Sequence, residues 1–181
     1  MDLSKYDNSN YDPGANLIVR TLWYMINAAL FHTWLFPVSR IKCALLRLFG
    51  AEVGRGVVIK PRVNIKYPWN LKIGSFVWIG EGVWLDSLDL ITIGSNVCIS
   101  QDAYLLTGNH DYKDPAFSLI TKPINIEDGV WVGARSIVCP GAVLRENAIL
   151  TVASILTGDT EKNRIYQGNP AQNIRERKIV N

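Results

Sequence analysis

Residues 73–85 read IGSFVWIGEGVWL, and this stretch contains the pattern that decides the fold. Ile73, Ile79 and Leu85 stand six residues apart, and a valine follows each isoleucine after four residues. A helix cannot use a six-residue period in this way, whereas β-branched residues between regular turn positions are typical of short strands. The stretch therefore predicts consecutive short strands that turn at regular intervals.

The same period runs through most of the chain. Val, Ile or Leu occupies fifteen positions at this spacing: 53, 59, 65, 73, 79, 85, 93, 99, 105, 126, 132, 138, 144, 150 and 156. The residue four after each is mostly small or β-branched, and the exceptions are Trp69, Asp89 and Asn109. Three hexapeptides form one coil, and stacked coils bury a continuous aliphatic column. We predict an all-β, triangular, parallel β-solenoid of about five coils.

The irregularities gather along one edge of this predicted prism. The three exceptions all lie in the third hexapeptide of a coil. Two-residue skips at 71–72 and 91–92, and a protruding loop at 111–125, follow those same hexapeptides. Insertions at the turns of a solenoid commonly lie on its binding face, so this edge is the candidate functional face.

Three segments follow from the pattern: a helical segment at 1–52, the solenoid at 53–161, and a turn with a basic tail at 162–181. Apolar residues recur at helical spacing from Leu17 to Leu30, and Pro37 ends that pattern. Ser39 is expected to cap a second helix, with one apolar face formed by residues 41, 45, 48 and 49. Two interpretations stay open, since these helices can cover the solenoid end or lie on a membrane surface.

Composition excludes several classes of protein. The chain has 181 residues, with 48% hydrophobic and 19% charged side chains, which excludes a disordered protein. The net charge of +3 comes without a dense basic stripe, so nucleic-acid binding is not expected. Cys43, Cys98 and Cys139 lack metal-type spacing and indicate a reducing compartment. The chain begins without a secretory leader, so we expect a cytoplasmic protein.

His110 is the main candidate for chemistry. It lies at the root of the protruding loop and is predicted to point away from the aliphatic column. Imidazole changes charge near neutral pH, which suits proton abstraction, although a plain surface histidine fits the spacing equally well. Asp111, Asp86 and Asp89 are candidates to orient the ring. Because the solenoid has only this histidine, a zinc site with three histidines is not expected, and we predict no metal.

Four aromatic residues are predicted to point outward from the solenoid: Trp78, Trp84, Tyr104 and Trp131. An exposed aromatic patch indicates a subunit interface or a ligand surface. In the loop, Tyr112 and Phe117 are expected either to line an acceptor pocket or to anchor the loop.

Several motifs resemble a known family. The stretches TGNHDY at 107–112, DPAF at 114–117, ITKPI at 120–124, IEDGVWVGA at 126–134 and GNPA at 168–171 resemble the colanic acid biosynthesis acetyltransferases. These enzymes belong to the hexapeptide-repeat, left-handed β-helix acyltransferases, which include maltose and galactoside O-acetyltransferases. The resemblance covers roughly residues 50–175, and it implies a left-handed β-helix.

The resemblance implies a homotrimer that uses acetyl-CoA in a cleft between subunits. The resemblance implies that His110 is the general base for direct attack of an acceptor hydroxyl on the thioester. Its neighbour in the chain, Asp111, is the candidate catalytic carboxylate. The resemblance also implies an acceptor contact at Asp86. Asn109, Tyr112 and Trp131 are further candidates for acceptor contact because of their positions on the irregular edge, in the loop and on the outer surface. The chain departs from the sugar acetyltransferases at Trp78, where they carry an asparagine.

The resemblance also places the cofactor along the later coils. Pantetheine contacts are expected at Gly133, Ala134, Ala153 and Ser154, and Arg175 is expected near the nucleotide phosphates. Turn geometry explains the small residues at these positions equally well.

The leading hypothesis is an acetyl-CoA-dependent O-acetyltransferase that acts, inside the cytoplasm, on a hydroxyl of a sugar or exopolysaccharide precursor. Two alternatives stay open: acetylation of an antibiotic, and a solenoid scaffold without catalysis. The helical segment is the part that would contact a membrane.

Overall fold

A three-faced parallel β-helix forms most of the molecule, and a computed structural model describes it for residues 1–178. Face A contains β1 (Glu52–Val53), β4 (Leu71–Ile73), β7 (Ile91–Ile93), β12 (Ile124–Ile126) and β15 (Val143–Leu144). Face B contains β2 (Val58–Ile59), β5 (Trp78–Ile79), β8 (Cys98–Ile99), β13 (Trp131–Val132), β16 (Ile149–Leu150), β18 (Arg164–Gly168) and β19 (Ala171–Glu176). Face C contains β3 (Asn64–Ile65), β6 (Trp84–Asp86), β9 (Tyr104–Leu106), β14 (Ile137–Val138) and β17 (Ile155–Leu156).

The predicted fold is confirmed. Five coils each contribute one strand to every face, and β18 begins a further turn on face B. Strands of successive coils pair in parallel, as in the partners Ile79 and Ile99. The aliphatic positions of the period are buried, except for the half-buried Val53, and so is every small or β-branched residue of the second register. The solenoid core is therefore the column that the repeat predicts.

The two-residue skips are strand residues rather than loops. Leu71 and Ile91 begin three-residue strands on face A, and both side chains are buried. They pair with each other, so the longer coils stay in register along this face. A coil can thus gain two residues without losing its aliphatic column, because the extra residues extend the parallel ladder.

Two helices cover the first coil. They are α1 (Leu17–Ile26), which continues as a π-helical turn at Asn27–Phe31, and α2 (Ser39–Leu48). The Asn16 side chain caps α1 by accepting from the Val19 amide at 3.0 Å. The predicted cap of α2 is wrong, because Ser39 is its first residue and its hydroxyl bonds the backbone of Ile59 instead. Ser39 therefore fastens the helix to the solenoid.

The buried face of these helices matches the predicted apolar face only in part, because Leu45 and Phe49 are half-buried against the core. The side chains packed into the core are Trp23, Phe31, Cys43 and Leu46, together with a buried lysine, Lys42. The residues of the apolar pattern that remain exposed are Leu17, Ile18, Leu22, Met25, Ile41 and Leu48. The helices thus cover the solenoid end with one face and present an apolar face outward.

Lys42 is a charged residue inside this helical cap. Its side chain is fully buried, and Nζ donates to the Lys60 carbonyl at 2.9 Å. The Phe31 ring centroid lies 5.6 Å from the ammonium. Burial lowers the pKa of Lys42 to about 8, because desolvation disfavours the charged form.

We expect Lys42→Met to increase the free energy of unfolding at pH 7 by about 1–3 kcal/mol, because it removes a poorly compensated buried charge. In the native chain the folded-state pKa of Lys42 lies below the unfolded value. Folding therefore releases a proton, and stability rises with pH between about 8 and 10.4. Urea titrations at pH 7 and pH 9.5 measure this increase in the free energy of unfolding. It should be absent in Lys42→Met and present in the exposed control Lys60→Met. An equal rise in both variants would contradict the assignment.

The C-terminal segment forms a hairpin that the sequence did not predict. β18 pairs in parallel with β16, and β19 returns antiparallel to β18 after the turn at 168–171. Arg177 donates to the carbonyls of Gly129 and Asn147 at 2.8 and 3.0 Å, so the end of the hairpin is fastened to coils four and five. Residues 179–181 of the predicted basic tail lie outside the described residues.

Candidate active site

A β-hairpin leaves the irregular edge of the solenoid and places His110 at its root. It consists of β10 (Gly108–His110) and β11 (Leu119–Thr121), with His110 opposite Leu119. The hairpin is anchored by the buried Thr107, whose hydroxyl donates to the Asp86 carbonyl at 2.5 Å and accepts from the Asp89 amide at 3.0 Å. The candidate base is thus held by the solenoid rather than by a free loop.

The His110 ring is oriented by the loop. Nδ1 lies 2.8 Å from the carbonyl oxygen of Phe117, and the two rings stack at 4.3 Å with an angle of 6° between their planes. A carbonyl oxygen only accepts hydrogen bonds, so we assign the proton to Nδ1. Nε2 of the neutral ring then carries a free lone pair. This is the arrangement that a general base requires.

No carboxylate orients the ring among residues 1–178. Asp111 accepts from the Lys113 amide at 2.9 Å, and Asp89 accepts from the Leu90 amide at 2.7 Å. The loop turns back at Phe117, where φ is +56° and the amide donates to the Asp114 carbonyl. That turn directs the Phe117 carbonyl at the His110 ring. A main-chain carbonyl thus takes the place of the carboxylate that the sequence suggested.

Tyr6 is a site residue that sequence reasoning missed. Its ring meets the edge of the His110 ring at 5.8 Å, with an angle of 60°. The same N-terminal segment bonds the loop, because the Asp2 amide donates to the Pro115 carbonyl at 2.8 Å. Residues before α1 carry no periodic pattern, so no sequence signal pointed to this contact.

Asp86 lies below the hairpin as a buried carboxylate. Its Oδ1 is 3.8 Å from Lys66 Nζ and makes no hydrogen bond within residues 1–178. The other oxygen, Oδ2, lies close to Gly108, at 3.8 Å from the position that a Cβ atom would occupy there. Burial raises the pKa of this carboxyl, and the Lys66 charge and the Tyr104 hydroxyl partly offset the rise. A ligand hydroxyl could satisfy the free oxygen.

The remaining predicted acceptor residues are spread out. The Asn109 side chain is exposed, and its oxygen accepts from the His110 amide at 2.8 Å. Tyr112 is 80% exposed at the tip of the loop. Trp131 lies on face B, where Nε1 donates to the Ser100 hydroxyl at 2.8 Å. Within one chain, the structure brings Asn109 and Asp86 to the hairpin of His110 but not Trp131.

The exposed aromatic residues form two patches instead of one. Trp78 and Trp131 flank Cys98 on face B. On face C, the rings of Trp84 and Tyr104 stack at 4.8 Å. The sequence showed that these side chains point outward, but it did not show that they divide between two faces.

Four predicted cofactor residues lie together at the corner between faces B and C. The Ala153 amide donates to the Ala134 carbonyl at 2.9 Å, and a Cβ on Gly133 would lie 2.6 Å from the Thr151 carbonyl carbon. Close coil stacking therefore explains the glycine. The buried Ser154 hydroxyl accepts from the Gly168 amide at 3.0 Å. Arg175 lies apart from this corner, on β19 opposite Ile165, and is exposed.

The arrangement offers no evident metal site. No group of three or more His, Cys, Asp or Glu side chains within residues 1–178 could hold a metal ion. The three cysteines are free.

Known proteins are similar to this chain both in sequence and in fold. The chain is 38% identical over 176 residues to the protein assigned as colanic acid biosynthesis acetyltransferase WcaF of Escherichia coli (strain K12), and the match covers 97% of each chain. The chain belongs to the hexapeptide-repeat acetyltransferases. The predicted family and the predicted enzyme class are therefore confirmed.

Solved structures agree with this hexapeptide-repeat acetyltransferase in fold. The Vibrio cholerae acetyltransferase VCA0836 complexed with acetyl coenzyme A has a TM-score of 0.81 at 23% identity, over 93% of each chain. Galactoside acetyltransferase in complex with coenzyme A has a TM-score of 0.74 at 26% identity, over 90% of this chain and 80% of that one. No protein-family model matches the chain.

Proposed function

We propose that the protein transfers an acetyl group from acetyl-CoA to a hydroxyl of a sugar in an exopolysaccharide precursor. The observation that carries this proposal is His110, with Nδ1 fixed 2.8 Å from the Phe117 carbonyl and Nε2 available. The colanic acid name of the relative and the coenzyme complexes of the structural neighbours support the donor and the acceptor class.

In the proposed reaction, His110 Nε2 takes the proton of the acceptor hydroxyl while its oxygen attacks the thioester carbonyl carbon. The tetrahedral oxyanion is stabilised by backbone N–H groups of a neighbouring strand. When it collapses, the carbon–sulfur bond breaks and the thiolate takes the proton from Nε2. The products are an acetyl ester and free coenzyme A, and no acetyl-enzyme forms.

We assign the acceptor to the space beside Asp86. Its unsatisfied oxygen, Oδ1, is an acceptor that a second sugar hydroxyl would satisfy. Asn109 and Tyr112 lie on the same hairpin and loop as His110 and complete the proposed acceptor contacts. In this proposal Asp111 stabilises the loop turn through the Lys113 amide rather than the histidine ring.

We assign the cofactor to the corner formed by Gly133, Ala134 and Ala153. Small residues leave the backbone of stacked turns open to an extended chain such as pantetheine. Ser154 supports this corner from inside, through Gly168. Arg175 is exposed and free to approach phosphates.

Acceptor identity is tested by incubating the protein with acetyl-CoA and a panel of candidates, followed by mass spectrometry. The panel should contain free sugars, phosphate-linked sugars and chloramphenicol. The proposal expects a single added acetyl group on a sugar. Acetylation of chloramphenicol alone would favour antibiotic modification, and absence of acetyl-CoA binding would favour a scaffold.

We propose a homotrimer in which the site lies between adjacent subunits. A closed threefold ring uses two different surfaces of each subunit, and the aromatic patches occupy two different faces. Exposed tryptophans are enriched at interfaces. In this arrangement Trp131 of one subunit approaches the acceptor site of its neighbour.

We further propose that the enzyme works in the cytoplasm and contacts the inner face of the membrane. The exposed apolar face of α1 and α2 carries Ile18 and Leu48, 79% and 76% exposed. No Asp or Glu occurs between residues 13 and 51, and the exposed cations of this stretch are Arg40 and Arg47. An apolar face with only positive charge around it fits an anionic lipid surface. Within residues 1–178, no helix is long and apolar enough to span a bilayer.

Membrane contact predicts that the protein sediments with vesicles containing phosphatidylglycerol but much less with phosphatidylcholine alone. Ile18→Glu should reduce this binding about tenfold, because a carboxylate replaces an apolar side chain facing lipid. Val152→Glu, on the solenoid and 65% exposed, is the matched control. Equal sedimentation of both variants would exclude this face as the contact.

A further inference from the structure

A cavity lies between α1 and the first two coils, next to the acceptor space. Its volume is about 590 Å³, and it lies between one side of α1 and the strand ends near Ile65 and Trp84. Neither the histidine hairpin nor the proposed cofactor corner lines it. The cavity is therefore lined by residues other than those of the hairpin and the cofactor corner.

The charged residues that line the cavity are both cations, and Asp86, which pairs with Lys66, is not among the lining residues. Arg20 and Lys66 line it, and no Asp or Glu appears among the described lining residues. Arg20 Nε is buried and makes no hydrogen bond within residues 1–178, and no carboxylate pairs with its guanidinium there. The guanidinium lies over the Tyr67 ring, 5.9 Å from the centroid. Buried donors of this kind are rarely left unpaired, so the site suits an anion.

The cavity adjoins the site of chemistry through Lys66. This lysine lines the cavity, and its Nζ lies 3.8 Å from Asp86 Oδ1. Asp86 in turn contacts the base of the His110 hairpin near Gly108. A molecule with its anionic group beside Arg20 would thus extend past Asp86 toward His110.

Aromatic side chains form the other walls. Tyr24, Tyr67 and Trp84 line the cavity, and Trp84 is 40% exposed. Rings of this kind offer flat apolar surfaces to a sugar ring, a base or a lipid chain next to the anion. The cavity therefore combines two cations with a surface for the group attached to a phosphate.

We propose that this cavity binds the phosphate or diphosphate of a phosphate-linked sugar acceptor, with Arg20 and Lys66 as its ligands. The proposal rests on the proposed function, because it names the class of acceptor for that site. Arg20 provides the planar donors that phosphate oxygens prefer, and Lys66 connects the phosphate subsite to Asp86. The sugar then lies between the phosphate subsite and His110.

The test is calorimetric titration with inorganic pyrophosphate, UDP and geranyl diphosphate, without acetyl-CoA. We expect Arg20→Gln and Lys66→Met each to weaken pyrophosphate binding about tenfold. Arg55→Gln, an exposed arginine on the solenoid, is the matched control and should bind as the native chain does. Melting temperatures of all three variants show whether folding is retained.

The probes distinguish the sources of the phosphate. Tighter binding of UDP indicates a nucleotide-linked acceptor, and tighter binding of geranyl diphosphate indicates a lipid-linked one. Equal binding of all three supports a subsite that recognises phosphate alone. Absence of binding, unchanged affinity in both folded variants, or displacement of pyrophosphate by coenzyme A would overturn the proposal. Because no acetyl transfer is measured, failure here is distinct from failure of the acetyltransferase assignment.

Discussion

Replacing His110 with asparagine is expected to lower kcat for acetyl transfer by about 10²- to 10⁴-fold, the usual contribution of a general base. The asparagine amide can still donate to the Phe117 carbonyl, so the loop should keep its position. His110→Ala removes both the base and this hydrogen bond. Release of coenzyme A thiol, measured with the acceptor found by mass spectrometry, gives the rate for each variant.

The pair of variants separates two roles of the ring. If His110 acts as the base, His110→Asn and His110→Ala lose activity to a similar extent, and both still bind acetyl-CoA. If the ring only anchors the loop, His110→Asn keeps most of its activity. Near-native kcat in His110→Asn would therefore contradict the assignment of His110 as the base. It would not affect the assignment of the fold.

Introducing a charge at Trp78 is expected to dissociate the proposed trimer and to abolish activity with it. Trp78 is 62% exposed on face B, so Trp78→Glu should not disturb the solenoid core. A carboxylate buried at an interface without a partner is strongly unfavourable. Analytical ultracentrifugation should report a mass near 20.3 kDa for the variant and about three times that value for the native protein.

Trp34→Glu is the matched control for this experiment. Trp34 is also 62% exposed, but it lies in the segment between the helices rather than on a solenoid face. It should remain trimeric and active. A native protein that sediments as a monomer, or a monomeric Trp78→Glu with native activity, would contradict a site shared between subunits.

The solenoid could be predicted from the sequence because its repeat is a direct consequence of packing. Each aliphatic position of the repeat, such as Ile79 or Leu105, is buried against the equivalent aliphatic residues of the neighbouring coils. The helices lack such a constraint. Their apolar spacing correctly indicated helix, but the core accepts Trp23 and Lys42, so the apolar pattern does not mark the buried face.

The candidate site could be predicted only in part. His110 stood out because it is the only histidine in the solenoid sequence and stands at the root of an insertion. Its orientation depends on a main-chain carbonyl, that of Phe117, and any residue can supply a carbonyl. The Tyr6 contact and the cavity beside Arg20 arise where distant segments meet, so neither leaves a local pattern in the chain.

The most direct test of the central claim is a crystal structure with coenzyme A and the acetyl acceptor bound together. We expect the reacting hydroxyl oxygen within about 3.2 Å of His110 Nε2, the distance that proton transfer requires. We also expect that Nδ1 keeps its hydrogen bond to Phe117, and that the thiol lies on the opposite side of the hydroxyl. An acceptor hydroxyl held by another side chain, with His110 Nε2 directed at solvent, would show that His110 is not the base.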